Sequence, residues 1–337
     1  EIYNQTRDWL ETAPSGVTET TCADFADGPF PRSAGDLYVS AAGAVRWIRA
    51  GDLDGNGWLD LVFSNSYNDS TGIIDSYIYW GSAGGYSTSW RTGLPTMYAA
   101  GNSTVDLDAD GYLDLVFSNN SNGSSERTDS YVYWGSASGF STSSRASLPT
   151  VSAVDNSAAD LNADGYLDIV FANSRDGTVY TGIESYIYWG SASGFSTGSR
   201  TGLPTLGGGG ACVADLDDDG FLDVAFSNYY DGATRSIDSW IYWGSASGFS
   251  TSSRTGLPTI GAGGCAVADL NGDGHLDLVF SNVSDGSTCA VDSYVYWGSA
   301  SGFTVASRTS LPTTGTLGVS AGHLDGDGRL DLVFSNA

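Results

Sequence analysis

"DLNADGYLDIVFAN", residues 160–173, crowds five oxygen-bearing side chains around a glycine and then runs straight into an apolar stretch. Near copies begin at Asp52, Asp106, Asp160, Asp215, Asp269 and His323, separated by 54, 54, 55, 54 and 54 residues. A turn rich in Asp and Asn explains one such stretch. Six in register describe an array built on one unit.

The rest of the unit repeats with the loop. "LDLVFSN" leads to a variable polar stretch, then to "DSYIYWGSASGFSTSSRTGLPT", then to a Gly/Ala-rich segment. Each unit reads as four strands, taken here from one copy. "GCAVAD" (264–269) is short and made of small residues, and "LDLVFSN" (276–282) is apolar and β-branched. "SYVYWGS" (293–299) alternates, with Tyr294, Tyr296 and Gly298 on one face and Val295 and Trp297 on the other. Gly302 to Pro312 supplies a weaker fourth strand. Four strands per unit, repeated, predict an all-β fold, a single β-propeller domain over 1–337. The small residues suit an innermost strand. The repeats run over 46–99, 100–153, 154–208, 209–262 and 263–316. A closing blade combines 317–337 with 12–45, which removes a frayed edge. Six blades are expected. A seventh around "CADFADG" (22–28) is the alternative, although Asp24 lies too close to Asp52 for four strands.

Thirteen arginines and no lysine face 39 acidic residues, a formal net charge of −26. Such a chain repels nucleic acid and anionic membranes, and no apolar run is long enough for a membrane span. The start at Glu1, with no Met and no signal peptide, is what a mature secreted chain would show.

The loops account for the charge. In 269–277 the side chains at positions 1, 3, 5 and 9 are Asp269, Asn271, Asp273 and Asp277, with Gly274 at position 6. Hard oxygen ligands at alternate positions, folded around one glycine, suit Ca²⁺ better than the stricter octahedron of Mg²⁺. The carbonyl of residue 7 completes the set. An EF-hand is excluded, because position 12 is a strand Phe such as Phe280 instead of a bidentate Glu. The ligand positions hold 20 of the 39 acids. Without cation their carboxylates repel one another at close range.

D-x-[DN]-x-[DN]-G-x-L-D inside repeated four-stranded units resembles the FG-GAP/VCBS repeats of integrin α-subunit heads and secreted bacterial propellers, and some fungal lectins are similar. The resemblance implies Ca²⁺ bound between the first two strands of each blade. Carried over by position, five sets are complete: Asp52, Asp54, Asn56, Trp58 and Asp60; Asp106, Asp108, Asp110, Tyr112 and Asp114; Asp160, Asn162, Asp164, Tyr166 and Asp168; Asp215, Asp217, Asp219, Phe221 and Asp223; and Asp269, Asn271, Asp273, His275 and Asp277. The residue at position 7 contributes only its backbone carbonyl. The sixth set departs, with His323 ahead of Asp325, Asp327, Arg329 and Asp331. Five Ca²⁺ sites are expected, with the sixth weak or empty.

Other repeated residues have structural readings first. Arg91, Arg145, Arg200, Arg254 and Arg308 recur with Asp75, Asp129, Glu184, Asp238 and Asp292, which suggests one Arg–carboxylate contact per blade. A ring of anion-binding arginines is the functional rival. Trp80, Trp134, Trp189, Trp243 and Trp297 suit packing between blades. The side chains at position 7 either stack on a ligand or pack over the neighbouring loop. Cys212 and Cys265 fall in adjacent innermost strands and are expected to pair, leaving Cys22 with Cys289.

Both His lie in the acidic loops, and no nucleophile elbow, zinc set or phosphate loop occurs, so an enzyme is not expected. A secreted or cell-surface binding and adhesion module is, with a multivalent lectin as its specific form and a glycan or protein as partner. A structural protein that self-associates, with calcium serving only the fold, is the alternative.

Overall fold

The computed structural model describes residues 44–67 and 73–336. These residues form five four-stranded antiparallel sheets and a final two-stranded one. The first sheet is β1 (Ala44–Gly51), β2 (Asp60–Tyr67), β3 (Ile73–Tyr79) and β4 (Arg91–Met97). The second is β5 (Ala99–Val105), β6 (Asp114–Asn119), β7 (Arg127–Tyr133) and β8 (Arg145–Val151). The third is β9 (Ala153–Ala159), β10 (Asp168–Asn173), β11 (Ile183–Tyr188) and β12 (Arg200–Thr205). The fourth is β13 (Gly208–Ala214), β14 (Asp223–Asn228), β15 (Ser236–Tyr242) and β16 (Arg254–Ile260). The fifth is β17 (Ala262–Ala268), β18 (Asp277–Asn282), β19 (Ser293–Tyr296) and β20 (Arg308–Leu311). The last pairs β21 (Gly318–Gly322) with β22 (Asp331–Ser335). Of the expected closing segment 12–45, residues 12–43 fall outside the described residues, as does the seventh-blade alternative at 22–28, while Ala44 and Val45 open β1 of the first sheet instead.

Within each four-stranded sheet the order is the chain order. The fourth strand is shorter than Gly302–Pro312. Its first residues form a turn, with Val305–Ser307 as one 3-10 turn capped by the Thr304 side chain. Serine and threonine hydroxyls that bond nearby backbone compete with strand pairing.

Glycine and alanine make the innermost strands because nothing larger fits. A Cβ at Gly209 would meet the Ala262 carbonyl at 2.5 Å, and one at Gly101 would meet the Asp155 Cα at 2.8 Å. The second and third strands are apolar on both faces because each sheet packs on two neighbours. One core cluster joins Val132 and Leu148 of the second sheet to Ile169, Phe171 and Tyr188 of the third, and equivalent clusters bridge the later pairs. At the far end of the array, a Cβ on Gly318 of β21 would lie 3.5 Å from Trp47 of β1.

Two further devices hold neighbouring sheets together. The hydroxyls of Tyr133, Tyr188, Tyr242 and Tyr296 donate across the interface to the carbonyls of Pro95, Pro149, Pro204 and Pro258, at 2.5–2.6 Å. Proline is tolerated there because the fourth strand is a sheet edge. The repeated tryptophans also bridge sheets, with Trp134 stacked on Phe195 and Trp189 on Phe249. Cys212 and Cys265 are joined by a disulfide between β13 and β17. Cys289 is disulfide-bonded as well, and Cys22 lies outside the described residues.

The repeated arginines do not contact the repeated acids as expected. Among the described residues the ion pairs within 4.0 Å are Arg127–Asp176 and His275–Asp218. Register explains the difference. Arg91 lies opposite Tyr79 and Asp75 opposite Pro95, so four residues along the strand separate the two charges. Each arginine instead covers an aromatic ring, with Arg91 4.0 Å from the Tyr77 centroid and Arg254 3.7 Å from that of Trp240. It also donates to the latch tyrosine, as Arg200 Nη1 does to the Tyr188 hydroxyl at 2.8 Å.

The glycine of each "YWGS" has no room for a side chain, since a Cβ on Gly190 would sit 2.2 Å from the Leu167 carbonyl. Gly194 has φ +78 and open space around it. Gly190→Ala is therefore expected to lower stability by several kcal/mol, and Gly194→Ala by only about 1 kcal/mol. Denaturant titration of both variants checks the order.

Candidate metal centre

Each acidic loop joins the first strand of a sheet to the second, and its backbone is wound so that amide hydrogens point inward at the side chains. In the second loop Asp106 accepts from the amides of Asp110 and Gly111, at 3.1 and 3.0 Å. Asp108 accepts from Asp110 at 3.3 Å, and Asp110 accepts from Tyr112 at 2.9 Å. The first residue binds the same two amides in the loops that begin at Asp52, Asp160, Asp215 and Asp269. The turn requires left-handed backbone at position 6, always glycine, and also at position 4. Position 4 is Gly55, Gly272 and Gly326, but also Ala109, Ala163 and Asp218, with φ from 57 to 61 in these three. The sequence pattern marks the first of these positions and hides the second.

The aspartate at position 9 is the anchor. In the second loop Asp114 Oδ2 accepts from the Leu107 amide at 2.8 Å, and its Oδ1 accepts from the Gly135 amide at 2.7 Å. It thus ties the loop to the "YWGS" end of the third strand. Asp60, Asp168, Asp223 and Asp277 do the same. All five are buried. Each carboxylate keeps lone pairs beyond those two bonds. The tight "YWGS" glycine is explained by the same contact, because strand and loop must approach closely for it to form.

The donor set fits a hard cation. Carboxylate oxygens of Asp52, Asp54 and Asp60 lie within 4.8 Å of one another, as do those of Asp106, Asp108 and Asp114, and of Asp215, Asp217 and Asp223. The loops at 160 and 269 place Asn162 and Asn271 third, where the amide oxygen remains a hard ligand. In both, the amide nitrogen donates to the fifth-position aspartate, at 3.1 and 3.0 Å.

Burial first, and then neighbouring acids, raise the carboxyls of Asp114, Asp168 and Asp223 to about 6, although two amide bonds each pull the other way. Asp60 and Asp277 are raised for the same leading reason. Asp108 and Asp217 are also raised, by desolvation and then by the acid two residues on. A divalent ion removes this penalty by supplying the missing positive charge.

The sixth loop is wired differently. Asp325 and Asp327 keep the same amide bonds, and Asp331 keeps the one from Leu324. His323, in the first place, sets its Nδ1 2.7 Å from the carbonyl of Arg329. A carbonyl can only accept, so this nitrogen carries the proton. The residue-7 carbonyl is thereby engaged by an N–H at the place where the other loops offer an aspartate.

The other position-7 side chains divide between the two expectations. His275 reaches the preceding loop, with Nδ1 2.9 Å from Asp218 Oδ2. Trp58, Tyr112, Tyr166 and Phe221 stay 48, 38, 40 and 37% exposed on the same end of successive sheets.

Replacing His323 by Asp should restore a full ligand set and raise bound calcium by one equivalent, as counted by titration calorimetry. A second expectation concerns pH. Folded, Asp114, Asp168 and Asp223 hold protons up to about pH 6, whereas unfolded aspartate releases them near ~3.9. The metal-free fold binds more protons than the unfolded chain in that window. Its stability is thus present at low pH and lost as pH rises through about 6. Melting in EDTA should show the midpoint fall from pH 4 to 6.5, and saturating calcium should abolish that fall.

The profile of the FG-GAP-like repeat matches residues 52–117, 106–171, 160–226 and 215–280 in overlapping copies. Among solved structures, the chain is similar to BBS1N, seen in complex with ARL6DN, at 12% identity and a TM-score of 0.49, over 88% of this chain and 89% of that one. It is also similar to the V. cholerae biofilm matrix protein Bap1, at 16% identity and a TM-score of 0.45, over 83% of this chain but only 41% of Bap1. No curated protein sequence matches it.

Proposed function

The chain belongs to the FG-GAP-like repeat family, and from that premise we propose that it is a calcium-stabilised binding propeller of the cell exterior that presents one ligand surface several times over. The observation that carries this reading is the recurrence of one inward-facing oxygen set, in one hydrogen-bonded frame, at the same junction of five successive sheets. Five loops hold Ca²⁺ and the sixth closes through His323. Six blades form the ring. The bound ions bring together carboxylates that otherwise repel, so calcium and fold are coupled.

Two features support the extracellular setting. Millimolar calcium suits sites of this kind, and the Cys212–Cys265 disulfide suits an oxidising compartment. Binding rather than catalysis is favoured because His275 and His323, the two histidines, are engaged within the loops. Near-identical sheets favour many weak sites acting together, and glycans, which repeat along a chain, suit such an array. A lectin is therefore the specific form proposed.

A second reading is a structural protein that self-associates, with calcium serving only the fold. Passing the calcium-loaded protein over columns of immobilised polysaccharide, with sedimentation velocity alongside, separates the two. Retention that free sugar competes away supports the lectin. Absence of retention, with concentration-dependent oligomers, supports assembly.

A further inference from the structure

The end of the sheets away from the acidic loops breaks the repeat. There the chain enters the first strand of a sheet through one left-handed residue, Tyr98, Ser152, Gly207 or Gly261, with φ from 46 to 57. The amides of Ser152, Gly207 and Gly261 donate to the carbonyls of Glu126, Tyr180 and Arg235 at 2.6–3.2 Å. One backbone contact thus holds an acid, an aromatic and a base in successive sheets. Glycine takes the turn where the side chain at that place lies across it. A Cβ on Gly207 would stand 3.1 Å from Tyr180 Cδ1, and one on Gly261 would stand 3.2 Å from Arg235 Cδ.

A cluster forms around these two side chains. Tyr180 meets Tyr230 edge to face, with the ring centroids 4.9 Å apart, and its hydroxyl accepts from Arg175 Nη1 at 3.1 Å. Arg235 spreads over Tyr229 and Tyr230, 5.0 and 5.6 Å from their ring centroids. Burial pushes the Tyr229 phenol up, while Arg235, which also hydrogen-bonds it, and Arg175 draw it down. Two guanidinium groups therefore act on one hydroxyl. All five residues are half-buried, open to solvent on one side.

The charge of Arg235 is unbalanced. Among the described residues no carboxylate lies within 4.0 Å of it, and its Nε is buried without an acceptor. Arg127, at the same end of the second sheet, is the contrast. Its Nε and Nη2 both reach Asp176 Oδ2 of the third sheet at 2.7 Å. The matching aspartate of the fifth sheet, Asp285, is turned to its own loop, where it accepts from the amides of Ser287 and Thr288 at 2.7 and 2.8 Å. A half-buried cation without a counter-charge carries a desolvation cost, and a carboxylate supplied from outside offsets it as Asp176 does for Arg127.

We infer that this end of the third and fourth sheets is a docking site for an acidic polypeptide, with Arg235 receiving one of its carboxylates beside Arg175 and the Tyr229 hydroxyl. A polypeptide is favoured because the completed example at the same end, Arg127 with Asp176, is a peptide side chain offered by a neighbouring loop. The acidity of the protein does not oppose such a partner. The metal-ligand positions hold 20 of the 39 acids and lie at the other end of each sheet, and physiological salt screens charge beyond about 8 Å. The site goes beyond the lectin reading and does not depend on it.

Titration calorimetry in saturating calcium provides the test. Its probes are a short acetylated peptide alternating Glu and Gly, the same peptide with Gln for Glu, and a galacturonate oligomer that carries the carboxylate on sugar. Wild-type protein should bind the Glu peptide in preference to the other two. Arg235→Gln should weaken that binding about tenfold or more, as loss of one charged hydrogen bond does. Arg127→Gln should leave it unchanged, because Asp176 already occupies that arginine. Should Arg235→Gln fold poorly, Arg235→Lys keeps the charge without the planar fork and must still bind more weakly than wild type. Undiminished binding by a folded Arg235 variant overturns the site, as does equal binding of the Glu and Gln peptides. Wild-type protein that ignores both peptides overturns it and leaves the lectin reading standing, and binding to galacturonate alone overturns the polypeptide assignment.

Discussion

A carboxylate buried at the junction of a loop and two strands organises five successive units of this protein. The aspartate at position 9 takes one amide from its own loop and one from the far end of the third strand. Through those two bonds it decides where the loop sits, why the facing residue must be glycine, and where the other carboxylates converge. Burying it ionised is costly, which is why its proton is held to about pH 6 in three of the units. A cation that offsets that cost strengthens the whole unit at once. Acidity here is therefore concentrated at defined points and is not a general property of the surface.

Strand assignment was legible because the repeat averages over local ambiguity. "LDLVFSN" could be a buried helix turn when read once. Six copies at one spacing, each following a glycine turn, leave a strand. The small first strands read correctly as innermost, and the convergence at Gly101 and Gly209 supplies the physical reason. The loop ligands were visible because each needs an oxygen side chain, whereas the left-handed residue at position 4 was not. Alanine and aspartate occupy that place as well as glycine, so composition carries no sign of it. The anchoring role of the "YWGS" glycine was equally hidden, since it depends on a partner about 21 residues away.

The arginines show where spacing misleads. Constant offsets between a cation and an acid suggest a pair, but pairing in a sheet is set by register. Register places a tyrosine where the acid was expected, so the guanidinium settles on the ring face and hydrogen-bonds the next hydroxyl along. The same register leaves each acid on the face of its own sheet's ring, as Asp75 lies beside Tyr77 over Gly93. His323 is the complementary case. One substitution exchanges an anionic acceptor for an N–H donor, and the loop closes on its own carbonyl while Gly326 and Gly328 keep the left-handed turn.

Thermal unfolding of one sample in calcium and then in excess EDTA at pH 7, with bound metal counted by elemental analysis, reaches the central claim most directly. The account predicts about five calcium ions per chain and a midpoint that drops by well over ten degrees when they are removed, since several coupled sites contribute together. An unchanged midpoint with no metal bound would contradict it, and would reduce the six acidic loops to turns that merely precede strands.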